Sequence, residues 1–200
     1  MDIVNEPRKG VKPGFIHVSD ISSAFGNHHK VPQDRLEAAA IRGQKVHSMI
    51  HAYMNDIPHG DEHLLYLESF KKFWGKLESP KILMQEERLY CDQYKITGAM
   101  DMVVETVEYG TTLIDWKCTW KAASHWEIQA SGYAHLALSG YPDDKEPPGH
   151  LIDTILFVRL DRDGGQPEVV EFEEDPELFE WAHRFYIRYM AGNKCHLEDE

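Results

Sequence analysis

The stretch Leu113-Ile114-Asp115-Trp116-Lys117 decides how this chain is read. An apolar run ends in a carboxylate and, two positions on, an ammonium. Strand side chains alternate between faces, so Asp115 and Lys117 project to one side and Ile114 and Trp116 to the other. Such a pair at a strand end can bind a metal ion and hold a water beside it. An isolated D-x-K is more often a surface ion pair, worth at most about 1 kcal/mol. Its meaning rests on what the rest of the chain brings to it.

Immediately upstream, residues 94–107 read as a strand, joined to 111–117 by a turn at Glu108-Tyr109-Gly110. If the two strands pair symmetrically about Glu108, Val104 faces Thr112 and Asp101 faces Asp115. The two carboxylates then share a face, with Cβ atoms roughly 5 Å apart. Like charges so placed are destabilising unless something positive lies between them. A conflict between local rules of this kind is what a functional site is expected to show. Residues 81–91 complete a meander across Asp92-Gln93 and carry the acidic group Gln85-Glu86-Glu87.

The flanking segments read as helices. Leu36, Ala39, Ala40, Gly43, Val46, Ile50 and Tyr53 recur at helical spacing from Asp34, in the cap position, to about Asn55. Gly43 costs roughly 1 kcal/mol in such a helix relative to Ala. It precedes His47 by one turn on the same face, so a backbone or ligand can approach beside the imidazole. Taken alone, His47 reads first as a satisfied core histidine. A second helix follows Gly60, with Leu64, Leu67, Phe70, Phe73, Trp74 and Leu77 as a core stripe, and ends at Ser79-Pro80. A third spans about Ser124 to Ser139, with His125, Gln129 and Tyr133 along one polar stripe. A last one, about Pro176 to Ala191, presents Leu178, Phe179, Ala182, Phe185 and Tyr189. Residues 151–160 and 167–173 read as a hairpin across Asp161–Gly165. Near the N-terminus, an irregular arm (1–14) precedes a short helix capped at Ser19-Asp20 and reaching about Gly26. His28-His29 and the segment from Pro142 to Gly149 read as loops, and the tail 197–200 as frayed.

Length and composition bound the function. Two hundred residues with 42% hydrophobic content fit one domain with a real core. Cys91, Cys118 and Cys195 form no C-x-x-C pair, so neither a zinc ribbon nor a disulfide framework is indicated. A reducing, cytoplasmic setting follows as the expectation, with no membrane span or secretory leader. The formal charge of −13 opposes easy nucleic-acid binding, which draws on Lys and Arg. Any such binding needs a locally positive groove or bound cations. A metal hydrolase of another kind finds no H-E-x-x-H signature.

His47 behind Gly43, then Gly98-x-x-Asp101, Asp115-x-Lys117 and Gln129-x-x-x-Tyr133 resemble, in order and spacing, the PD-(D/E)xK nuclease superfamily. Within it they are similar to the RecB-type branch, which includes phage exonucleases related to lambda exonuclease and CRISPR-associated RecB-like nucleases. The resemblance covers residues 43–133, about half the chain. It implies an α/β (α+β) fold with a restriction-endonuclease-like core, a central mixed β-sheet flanked by helices in α-β-β-β-α-β order. It implies His47, Asp101, Asp115 and the Trp116 carbonyl as metal ligands, and Lys117 as the group that orients or activates the attacking water. Gln129 and Tyr133 match the motif that contacts a DNA end or supports the site. Glu86 matches a further acidic position, with Glu87 as a competitor that alternation cannot exclude. The implied activity is Mg²⁺- or Mn²⁺-dependent hydrolysis of DNA, as an exonuclease of phage or bacterial recombination or repair, with one or two ions. A recombination partner protein and a homo-oligomer stay open. Three scattered cysteines cannot supply the four-cysteine iron–sulfur cluster of some members, so none is expected. A non-catalytic binding or assembly protein that kept the fold is the competing reading.

Overall fold

The computed structural model describes residues 11–27, 31–141 and 151–190. His28-His29, the segment from Pro142 to Gly149, Cys195, the tail and most of the N-terminal arm lie outside the described residues. The meander anticipated around Asp115 is the centre of a six-stranded mixed sheet. In chain order the elements are β1 (Ile16–His17), α1 (Val18–Ser23), α2 (Gln33–Met54), α3 (Leu64–Trp74), β2 (Lys81–Cys91), β3 (Ile96–Thr106), β4 (Gly110–Lys117), α4 (Trp126–Ser139), β5 (Thr154–Arg159), β6 (Glu168–Phe172) and α5 (Pro176–Tyr189).

β3 pairs antiparallel with β2 along its length and with β4 over its second half. The short β1, which the sequence reading missed, runs parallel to the start of β3. Beyond β4 the sheet continues with β5, parallel to it, and β6, antiparallel to β5. The β3–β4 register is the one read from symmetry about Glu108, with Val104 opposite Thr112 and Met102 opposite Ile114.

Helices cover both faces of the sheet. On one face, Val46, Met49 and Ile50 of α2 and Leu67, Phe70 and Phe73 of α3 pack on Met102, Val104, Ile114, Trp116 and Val158. On the other, α1, α4 and α5 bury Val18, Ile21, Ala130, Ala134, Ala137, Phe179 and Ala182 against Met100, Val103, Leu113 and Phe157. The alternation of β4 is therefore the expected one, with Leu113 on one side and Ile114 and Trp116 on the other. Trp116 is 2% exposed. Its indole meets Phe70 and Phe73 edge-on, with centroids 5.0 and 5.8 Å away. Contacts of this geometry add roughly 0.5–1.5 kcal/mol each beyond area burial. They pin the strand end on which Asp115 and Lys117 stand.

Several helix boundaries differ from the sequence reading, each for a local reason. α1 starts at Val18, because the ring of His17 accepts the Ser19 N–H and takes the cap position. α2 starts at Gln33 behind Pro32, with no side-chain cap, so Asp34 stands in the first turn. Its first half is not core: Ala40 is exposed, and Val46, Met49 and Ile50 are the buried residues. α3 ends at Trp74 with Gly75 as its C-cap, before Ser79-Pro80, and Leu64 is exposed. α5 buries Phe179 and Ala182, while Phe185 and Tyr189 lie exposed in an aromatic row with Trp181. Among the described residues no helix is long and apolar enough to cross a membrane.

Candidate metal centre

β3 and β4 fork at the site. Their ladder ends at Met102 and Ile114, one step short of Asp101 and Asp115. Asp101 does not complete the ladder: its Oδ2 accepts the Trp116 N–H at 2.7 Å. A side chain thus satisfies a buried backbone donor that the fork would orphan. On β3, Met100 packs in one core and Met102 in the other, so the strand's alternation slips at Asp101.

The neighbouring strand is distorted at the same level. Glu86 falls between the pairs Gln85–Met102 and Glu87–Met100, opposite Asp101, and has φ +50°. A left-handed non-glycine residue inside a strand costs on the order of 1–3 kcal/mol, and such strain clusters at functional sites. The register decides between the two glutamates: Glu86 offers a carboxylate oxygen to the site. Ligand atoms of His47, Glu86 and Asp101 lie within 4.8 Å of one another.

His47 reaches this point from α2. Its Nδ1 lies 3.0 Å from Asp101 Oδ1, and its Nε2 lies 2.9 Å from the Trp116 carbonyl oxygen. Both ring nitrogens face acceptors, an arrangement that favours the doubly protonated imidazolium. Burial alone would lower its pKa, but the charge and hydrogen bond of Asp101, with Asp115 and Glu86 nearby, raise it to about 9. Glu86 is exposed at the rim, yet loss of water around its carboxyl and the charge of Asp101 lift it to about 7.

Asp115 belongs to a second, adjoining set. It is 4% exposed, and Lys117 Nζ lies 2.7 Å from its Oδ2. Lys117 also donates to Gln129 Oε1 at 2.9 Å, and Gln129 Nε2 donates to Asp115 Oδ1 at 3.3 Å. The ammonium rests 4.4 Å from the centre of the Phe157 ring and 5.5 Å from that of Trp126. The sequence reading took Lys117 as a water-positioning group rather than Asp115's partner. In this structure it is Asp115's partner, because a buried carboxylate without a counter-charge would be far costlier than a shared ammonium. The pair is short but not aligned as a hydrogen bond, and Asp115 Oδ2 has no well-directed donor. Burial raises Asp115 to about 6; Lys117 opposes this rise and the charge of Asp101 adds to it.

Tyr133, one turn after Gln129 on α4, is 4% exposed and packs on Gly98, where a Cβ would come within 2.7 Å of its ring. The Gly98 of the Gly98-x-x-Asp101 motif is thus a packing requirement of Tyr133. Ala39, Arg42 and Gly43 of α2 close the opposite wall of a cleft of about 240 Å³ that also touches His47, Asp101, Asp115, Lys117, Cys118, Gln129 and Tyr133. A Cβ on Gly43 would meet nothing within 4 Å, so its smallness leaves room in the cleft rather than serving helix packing. Arg42, Cys118 and Thr119 were not singled out from the sequence. The i, i+3, i+4, i+8 spacing of Ala39, Arg42, Gly43 and His47 was the available signal for the first.

His47, Glu86 and Asp101 converge; Asp115, Lys117 and Gln129 adjoin them; and the Trp116 carbonyl faces His47. One imidazole, three carboxylates and a carbonyl are a donor set suited to a hard divalent ion, with the nitrogen tilting it towards Mn²⁺. The poorly satisfied Oδ2 of Asp115 and the crowding of Asp101 and Glu86 fit a cation at this point. For His47 to be a ligand, one ring nitrogen must give up its proton.

No protein-family pattern matches the chain, and no curated protein does. Among solved structures, the crystal structure of SSO0001 is similar at 14% identity and a TM-score of 0.40, over 88% of this chain and 77% of that one. A likeness of that degree carries no argument about activity.

Proposed function

We propose that this protein is a metal-dependent DNA nuclease, acting as an exonuclease, on a restriction-endonuclease-like core of the PD-(D/E)xK type. The observation that carries the reading is the meeting of His47, Glu86 and Asp101 beside the Asp115–Lys117–Gln129 set at a strand fork. His47, Asp101, Asp115 and the Trp116 carbonyl would hold Mg²⁺ or Mn²⁺, with Glu86 from the rim. A bound ion of this kind polarises a scissile phosphate and lowers the pKa of a coordinated water. Lys117 is held between Asp115 and Gln129, and with a cation taking up the charge of Asp115 its ammonium would be free to orient an attacking water. Gln129 keeps hold of both groups. Trp116, locked between Phe70 and Phe73, fixes the strand end that carries them.

The cation also answers the charge problem. A chain of net charge −13 repels DNA, and one or two divalent ions among three carboxylates would offset the local negative charge where a phosphate must approach. A non-catalytic assembly role leaves both the strained Glu86 and the buried Asp115–Lys117 pair without a use. The test is incubation of the purified protein with linear and circular duplex, labelled at the 5′ or 3′ end, in Mg²⁺ and in Mn²⁺. Linear DNA is degraded, and Asp115→Ala and Lys117→Ala lose that activity. If wild type and both variants treat every DNA form alike, the reading is wrong.

A further inference from the structure

Beside the metal cleft, and joined to it through Arg42, Cys118 and Thr119, runs a groove of about 510 Å³. Trp120, Arg159 and Arg162 also line it. That volume lies within the range of small-ligand sites.

Two of its side chains lack the satisfaction expected of them. Arg42 gives one hydrogen bond from Nη2 to the Cys118 carbonyl at 3.3 Å, but its buried Nε has no acceptor. Arg159 is paired with Glu168 and Arg162 faces Asp163 at 3.6 Å, so Arg42 is the groove cation without a carboxylate partner among the described residues. Trp120 is 75% exposed. A single exposed aromatic is ordinary on a surface. This one, however, is held: Arg159 Nη1 donates to its carbonyl at 3.1 Å, and the Arg162 guanidinium lies 4.8 Å from the ring centre. An anchored, water-facing indole three residues beyond Lys117 is a platform.

We infer that this groove takes an unpaired nucleotide of the DNA strand next to the scissile bond, with its phosphate on Arg42 and its base stacked on Trp120. The inference rests on the nuclease reading and adds a substrate form to it. One cation without a counter-charge suits one phosphate and not the backbone of a duplex, and only an unpaired base has a free face to lay on an indole. Asp161, Asp163 and Glu168 along the same groove repel additional phosphates and keep the contact short.

The probe is a fluorescein-labelled oligothymidylate of eight nucleotides with cleavage-resistant phosphorothioate links, its anisotropy followed in Mg²⁺ with the full chain. Trp120→Ala weakens binding on the order of tenfold, and Trp120→Phe keeps most of it. Arg42→Ala lowers the slope of log affinity against log salt by about 0.7, whereas Trp120→Ala leaves that slope alone. Melting curves check that the variants fold, and on linear DNA the Trp120→Ala loss falls on KM rather than kcat. If Trp120→Ala and Arg42→Ala bind and turn over like wild type while Asp115→Ala is inactive, the groove inference is wrong and the nuclease stands. If no metal supports cleavage but binding still needs Trp120 and Arg42, the nuclease reading falls, and the groove stands as a nucleotide-binding site with no scissile bond beside it.

Discussion

Replacing Lys117 by methionine removes the counter-charge of Asp115 and keeps most of the side-chain stem. Asp115 is 4% exposed, Lys117 Nζ is 2.7 Å from it, and the lysine side chain retains 13% exposure. Removing one partner of a buried pair costs about 3–5 kcal/mol. Residual hydration and the surviving Gln129 hydrogen bond at 3.3 Å place this case near the lower end, about 3 kcal/mol. For a chain of this size that is a fall in Tm of roughly 6–12 °C. In EDTA the full difference is read by urea or thermal unfolding of wild type and variant. A divalent ion replaces the missing charge: at a hundred times its Kd, a ligand of the folded state adds about 2.7 kcal/mol. In wild type the ion must first displace Lys117 from Asp115, so Mn²⁺ closes at least half of the gap. A gap under about 1 kcal/mol in EDTA, the value of a surface pair, would refute the burial argument. An equal gap with and without Mn²⁺ would refute the shared role of Asp115.

Gly98→Ala puts a Cβ 2.7 Å from the Tyr133 ring and 3.0 Å from Leu136, and costs about 1–3 kcal/mol in urea unfolding by overpacking. Gly43→Ala meets nothing and raises stability by up to about 1 kcal/mol, whereas Gly43→Phe folds equally well but fills the cleft and slows turnover of DNA. At Cys91, burial pushes the thiol up, but the His135 ring nitrogen 3.7 Å away, the Tyr94 backbone and Ser139 more than offset it, and the thiol falls to about 7 from its ordinary 9. The folded pKa is the lower one, so this pair's stabilisation is full above about 9 and is lost as pH falls through about 7. Thiolate absorbance in a variant lacking the other two cysteines rises near pH 7 and moves upward in His135→Ala; no rise below pH 8.5 would contradict the contact.

The centre of this fold was legible because β-hairpin symmetry is a local property. The turn at Glu108-Tyr109-Gly110 set the register, and the register put Asp101 next to Asp115. What the sequence could not carry was the fork. Alternation assumes an unbroken ladder, and here it stops one step early, so Asp101 turns to the Trp116 N–H and to His47 instead of facing Asp115 squarely. The choice of Glu86 over Glu87 needed the pairing with β3 and the φ of +50°. The 2.7 Å contact of Lys117 with Asp115 was not legible either, because burial is not printed in a D-x-K. The first half of α2 reads as amphipathic and yet lines the cleft. Its Ala and Gly residues signal closeness to something, and the sequence alone does not say to a core or to a ligand. Arg42 and Trp120 are 78 residues apart and share a groove only because α2 lies over the end of β4.

The central claim is that His47, Glu86, Asp101 and Asp115 together form one divalent-metal centre, and calorimetric titration with Mn²⁺ tests it most directly. Wild type binds Mn²⁺ and releases protons as His47 gives up its imidazolium; His47→Ala and Asp101→Ala lose at least tenfold in affinity. An absence of Mn²⁺ binding to wild type, or the same affinity in all three proteins, would contradict the account.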